Sequence, residues 1–95
     1  MRIRLTRDSV AAADDFNPPH EKIVKVHPFT DPLALINHIY PQYLPNVAGV
    51  GHRWECILNG RHIATVTVNG VTPNVSEVEY QPKSDLHFLY QYAVT

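Results

Sequence analysis

A chain of 95 residues has length for one hydrophobic core and none to spare for a second domain. It is 44% hydrophobic and 18% charged, with a net charge of −1 at pH 7. That is the balance of a globular protein, and it offers no basic field for nucleic acid or anionic lipid. Its one cysteine cannot close an internal disulfide, so packing alone must hold the fold.

The chain opens MRIRLT, where Met1, Ile3 and Leu5 alternate with Arg2, Arg4 and Thr6. Period two predicts a strand with one face inward and one in water. The same alternation leaves no apolar core for a signal peptide, and no later run approaches the ~20 apolar residues of a membrane span. The expectation is a cytoplasmic protein with no membrane contact. DSVAAADDFNPPH follows, a long connection that Asp14, Asp15 and the Pro18-Pro19 pair keep irregular. KIVKVH, residues 22–27, reads as a second strand, antiparallel to the first.

Thr30-Asp31-Pro32 announces a helix, because Asp31 or Thr30 can accept orphan backbone donors and Pro32 needs no N–H there. Leu33, Ile36, Ile39 and Tyr40 form the expected apolar stripe, with Pro41 and Pro45 closing the regular helix. Residues 46–51 read as a connection in which Gly49 and Gly51 free the backbone to turn. Asn59-Gly60 between two strand-like runs predicts a hairpin. A tight turn there would set Ile57 opposite His62, Cys56 opposite Ile63 and Trp54 opposite Thr65. Trp54, Cys56, Leu58 and Ile63 would share one face, and Ile57, Ala64, Val66 and Val68 the other. Both faces would then be apolar, so either a bulge swaps them or both sides are covered. Residues 69–85 read as turns interrupted by the alternating piece SEVEY. Residues 86–92, LHFLYQY, read as a last strand with Leu86, Phe88 and Tyr90 on one side.

Strand, strand, helix, strand, strand and a last strand is an α+β order: a mixed sheet of about five strands crossed by one helix, in a single domain over residues 1–95. It resembles the β-grasp, or ubiquitin-like, fold. The layout is most similar to the small sulfur carriers, whose apolar run into Asn-Gly matches CILNGRHI and whose Asp-led last strand matches SDLHFLYQY. The resemblance implies a carrier activity through a C-terminal Gly-Gly, but this chain ends Tyr92-Ala93-Val94-Thr95. Carrier chemistry is therefore not carried over, and a degenerate or truncated carrier stands as one alternative.

Residues of reactive type gather no partners in the sequence. Gly49-Val50-Gly51-His52 follows a helix and precedes a strand, the reverse of a phosphate loop. Cys56 sits mid-strand with no base beside it, and His62 should face away from it. The six histidines show no metal-ligand spacing, and Asn74-Val75-Ser76 would accept a glycan only in a secretory context. No cofactor, metal or nucleic acid is expected. The expected function is a non-catalytic protein-binding module. Its contacts would be the loop bearing Asp14, Asp15 and His20, an open sheet face carrying Arg2, Arg4 and Lys25, and Tyr92. The competing class is a metal- or small-ligand-binding protein or enzyme that uses Asp14, Asp15 and His20, with Glu21 beside them.

Overall fold

The computed structural model describes residues 1–9, 20–45 and 51–92. Their elements are β1 (Arg2–Arg7), β2 (Lys22–Lys25), α1 (Pro32–Tyr43), β3 (His52–Leu58), β4 (Arg61–Thr67), β5 (Gly70–Pro73) and β6 (Ser84–Tyr92). The class is α+β, with one mixed sheet of six strands in the order β2-β1-β6-β3-β4-β5. β1 and β6 pair in parallel, and every other neighbouring pair is antiparallel.

The N-terminal hairpin forms as its alternation dictates. Ile3 and Leu5 are fully buried, Val24 lies beside Ile3, and Arg2, Arg4, Ile23 and Lys25 turn to the other side. The N-terminal amine donates to the Val26 carbonyl at 3.0 Å, and the Val26 N–H to the Met1 carbonyl at 2.8 Å. These bonds continue the ladder beyond β1 and hold Met1 at the rim, 38% exposed, where the alternation alone would place it inside.

Helix α1 begins where expected, with the Asp31 carboxylate accepting from the Leu33 N–H at 3.0 Å. Two details differ. Leu35 is fully buried and Leu33 is 37% exposed, so the stripe runs through Pro32, Leu35, Ile36 and Ile39. Pro41 lies inside the helix, which continues to Tyr43 and is capped by the Leu44 N–H on the Tyr40 carbonyl at 2.9 Å. The ring removes only the bond to the carbonyl of Asn37, an exposed residue, and that small loss so near the end does not stop the helix.

The Asn59-Gly60 hairpin forms with φ of 50° and 84°, the left-handed values this turn demands. Asn59 also pins the turn to β6: its N–H donates to the Asp85 carbonyl at 2.8 Å, and its side-chain oxygen accepts the Asp85 N–H at 2.9 Å. Leu58 opposes Arg61 and Ile57 opposes His62 as expected, but the register then shifts, so that Cys56 meets Ala64 and Trp54 meets Val66. Ile63 is the inserted residue of a bulge. It lets consecutive Ile63 and Ala64 both enter the core and resolves the two-faced pattern: Ala64 and Val66 join Trp54 and Cys56, while Ile57 stays outside.

The region after β4 is reorganised relative to its expected turns. β5 pairs Thr72 with Thr65 and Val71 with Val66, adding a sixth strand. SEVEY, residues 76–80, is not a strand. It straps the start of the helix instead, with the Val78 N–H on the Thr30 carbonyl at 2.8 Å and the Tyr80 hydroxyl on the Phe29 carbonyl at 2.5 Å. The core lies between α1 and one sheet face, where Leu35, Ile36, Cys56, Leu86 and Phe88 are fully buried.

Candidate functional site

With α1 and the strap on one face, the strand parities define what the opposite face presents. Arg2, Arg4 and Thr6 come from β1, Ile23 and Lys25 from β2, Asp85, His87 and Leu89 from β6, Arg53, Glu55 and Ile57 from β3, and His62 and Thr65 from β4. Arg2 and Lys25 are direct cross-strand partners, so two like charges stand side by side. Such a pair is unfavourable in an isolated sheet, and among the described residues no carboxylate neutralises either one. Arg4, the next cation along, is engaged: its Nε donates to Glu21 at 2.7 Å, and its guanidinium also reaches Asp85 at 3.4 Å.

One row of residues crosses the middle of this face in register, Thr6 beside His87, His87 beside Ile57, and Ile57 beside His62. Each histidine is held by a carboxylate. His87 Nε2 lies 3.1 Å from Asp8 Oδ1, and its Nδ1 lies 2.7 Å from the Thr6 hydroxyl. His62 Nε2 lies 2.5 Å from Glu55 Oε2, which also accepts from Thr65 Oγ1 at 3.0 Å, while Glu55 Oε1 pairs with Arg53 Nε at 3.0 Å. The Glu55 side chain is only 14% exposed, so these partners replace most of its water.

Asp8, His87 and Thr6 follow the carboxylate, imidazole, hydroxyl order of a proton relay. The geometry nevertheless fastens strands. Thr6 is 7% exposed, and the second Asp8 oxygen accepts the Tyr90 N–H at 2.9 Å. The Asp8 N–H donates to the Phe88 carbonyl at 3.1 Å, so Asp8 extends the β1–β6 pairing with its side chain and backbone together.

Among the described residues, those singled out from the sequence do not form one site. Arg2, Arg4 and Lys25 share the open face at the β1–β2 end. Tyr92 lies on the helix-covered side at the far end of β6, 56% exposed, its ring 4.7 Å from that of His52. His20 takes a left-handed φ of 57°; its Nε2 lies 2.9 Å from Ser9 Oγ and its carbonyl accepts the Tyr43 hydroxyl at 2.5 Å. Asp14 and Asp15 lie outside the described residues. Among the described residues, no group of three His, Cys, Asp or Glu side chains is close enough to hold a metal ion, and no helix is long and apolar enough to cross a membrane. Sequence reasoning missed Asp8, Thr6, Glu55 and Asn74. Thr6 and Glu55 stand on the polar phase of their strands, which was a usable signal. Asn74, whose side-chain nitrogen lies 2.9 Å from His62 Nε2, carried none.

Titration on the covered side has a clear sign. Burial pushes the Tyr43 hydroxyl up to about 12, against the weaker opposing pull of Arg7 and Arg4. Burial, and then Glu55, push the Cys56 thiol up as well. An acid whose folded value is raised keeps its proton longer in the native state, so its contribution is intact below the unfolded value and lost above it. Stability is therefore expected to fall as pH rises from about 10 to about 12. Tyr43→Phe should reduce that slope in urea unfolding measured at several pH values, with Cys56 and Tyr80 supplying the remainder. An identical slope in the variant would contradict the assignment. No family model, curated protein or solved structure matches this chain.

Proposed function

We propose that this chain is a small non-catalytic protein-binding module of β-grasp, ubiquitin-like layout, acting as an accessory subunit or regulator through its open sheet face. The fold reading draws support from the order β2-β1-β6-β3-β4, from the parallel pair β1 and β6 within it, and from a helix that follows the first hairpin. β5 is then an addition at the far edge.

The observation that carries the functional reading is the composition of the uncovered face. Half-buried Ile57 and Leu89 sit amid charged and imidazole side chains, with Arg2 and Lys25 side by side at one end. A flat surface with an apolar centre and a charged rim suits protein recognition, and like charges kept together suit an acidic patch on the partner. The test is affinity capture from native lysate at low and moderate salt, comparing the wild-type chain with an Arg2→Ala/Arg4→Ala double variant. The expected result is one stoichiometric partner whose affinity drops at least tenfold in the variant, mostly through slower association. Equal affinity in the two proteins would refute the open-face reading.

A further inference from the structure

The sheet has a second surface of a different kind, at its β2 edge. We infer that the groove between β2 and α1 binds an extended segment of another protein, apolar at alternate positions and acidic at its flanks, as an added β-strand. This site lies on the helix-covered side and rests on observations separate from the open-face reading, with Lys25 alone common to both.

The backbone parity of β2 turns half of its hydrogen-bonding groups away from β1. Met1 and Val26 exchange both of their backbone hydrogen bonds, so Val24 and Lys22, two and four residues away, form the hydrogen-bonded pairs with Ile3 and Leu5. The N–H and C=O groups of Ile23 and Lys25 consequently point away from β1. β2 is an edge strand among the described residues, so these groups form a template for strand addition.

A groove lies beside that edge. Its volume is about 230 Å³, with half-buried Val24 as its apolar wall, the buried Leu5, Val26 and Ile39 at its floor, and His38 and Gln42 on the helix side. Pockets for drug-sized ligands run about 300–1,000 Å³, so this one is small for such a molecule. It suits the alternate side chains of a strand, which point to one side every ~7 Å.

Charge selects the occupant. Lys22 and Lys25 stand at the lip, and no carboxylate lines the groove among the described residues. Acidic flanks on the incoming strand would meet these lysines. A second copy of β2 would instead set lysine against lysine, and flanking lysines of this kind are a known defence against self-pairing.

The test uses the full chain, isotope-labelled, and two synthetic peptides with the same Val-Thr-Val-Thr-Val core, apolar at alternate positions, one flanked by glutamates and one by lysines. Fluorescence anisotropy should show the glutamate peptide binding at least tenfold more tightly. Binding should slow hydrogen exchange at the Ile23 and Lys25 amides. Ile23→Pro removes an outward donor and leaves the bonds to β1 intact, so it should weaken the peptide at least tenfold while the amide spectrum stays folded. Should that variant unfold, Lys22→Glu provides the decision on an exposed side chain that belongs to the groove and not to the open face, again with a clear loss of affinity expected. Absence of binding at millimolar peptide, equal affinity for the two peptides, or protection confined to other strands would overturn the proposal. The capture experiment on the open face is untouched by any of these outcomes.

Discussion

Phe88→Ala is expected to remove about 3–5 kcal/mol of stability, the range for truncating a buried aromatic. A chain of 95 residues has roughly 5–14 kcal/mol in total, so this one change should bring the protein near its unfolding threshold. The size of the effect follows from position. Phe88 is fully buried in the central β6, opposite Cys56 of β3 and Arg7 of β1, with its ring 5.7 Å from that of Tyr43. Both sheet halves and the helix end therefore meet the cavity, and none can close it without breaking register. Urea unfolding measures the loss. Phe88→Leu should recover more than half of it, because volume rather than the aromatic ring matters most there. A loss below 1 kcal/mol for the alanine variant would contradict the central role given to this side chain.

Asp8→Ala is expected to cost about 1–3 kcal/mol, an unusually large figure for a half-exposed residue just past a strand end. Its carboxylate accepts from the Tyr90 N–H and the His87 imidazole, and alanine leaves both without that partner. Asp8→Asn should cost less, because its oxygen can still accept one of the two. Amide exchange at Tyr90 should quicken in the alanine variant beyond what its global stability loss explains. A double-mutant cycle with His87→Ala would isolate the pairwise share. Coincident unfolding curves for Asp8→Ala and the wild type would refute the clamp.

These two residues also show where sequence reading reaches its limit. Phe88 was legible: it stands on the apolar phase of LHFLYQY, and period two alone assigns it inward. Asp8 reads only as the first polar residue after a strand. Its meaning depends on a parallel pairing between β1 and β6 that brings its carboxylate to groups 79 and 82 positions away, the His87 ring and the Tyr90 N–H, a juxtaposition no local pattern records. The sixth strand is a different case. Asn69-Gly70 repeats the dipeptide of the β3–β4 turn but not its placement: the turn residues are Val68 and Asn69, and Gly70, left-handed at φ 113°, already pairs with Thr67, so the two-residue Asn-Gly rule does not find β5.

Local physics in the chain determined the N-terminal hairpin, the capped start of α1, the Asn59-Gly60 turn and the inward residues of β6. In each, the decisive forces act between residues a few positions apart: alternation, a side-chain cap, a left-handed turn. Tertiary packing decided what those forces leave balanced. It chose the bulge at Ile63, since only the core can tell which of two apolar faces is buried, and it carried α1 through Pro41, where the loss of one bond near the helix end is small. It separated Tyr92 from Arg2, Arg4 and Lys25 by placing them on opposite faces. It also assembled the two histidine clamps and the β2 groove from strands and a helix that share no neighbourhood in the sequence, because register between distant strands is set by the whole buried face at once.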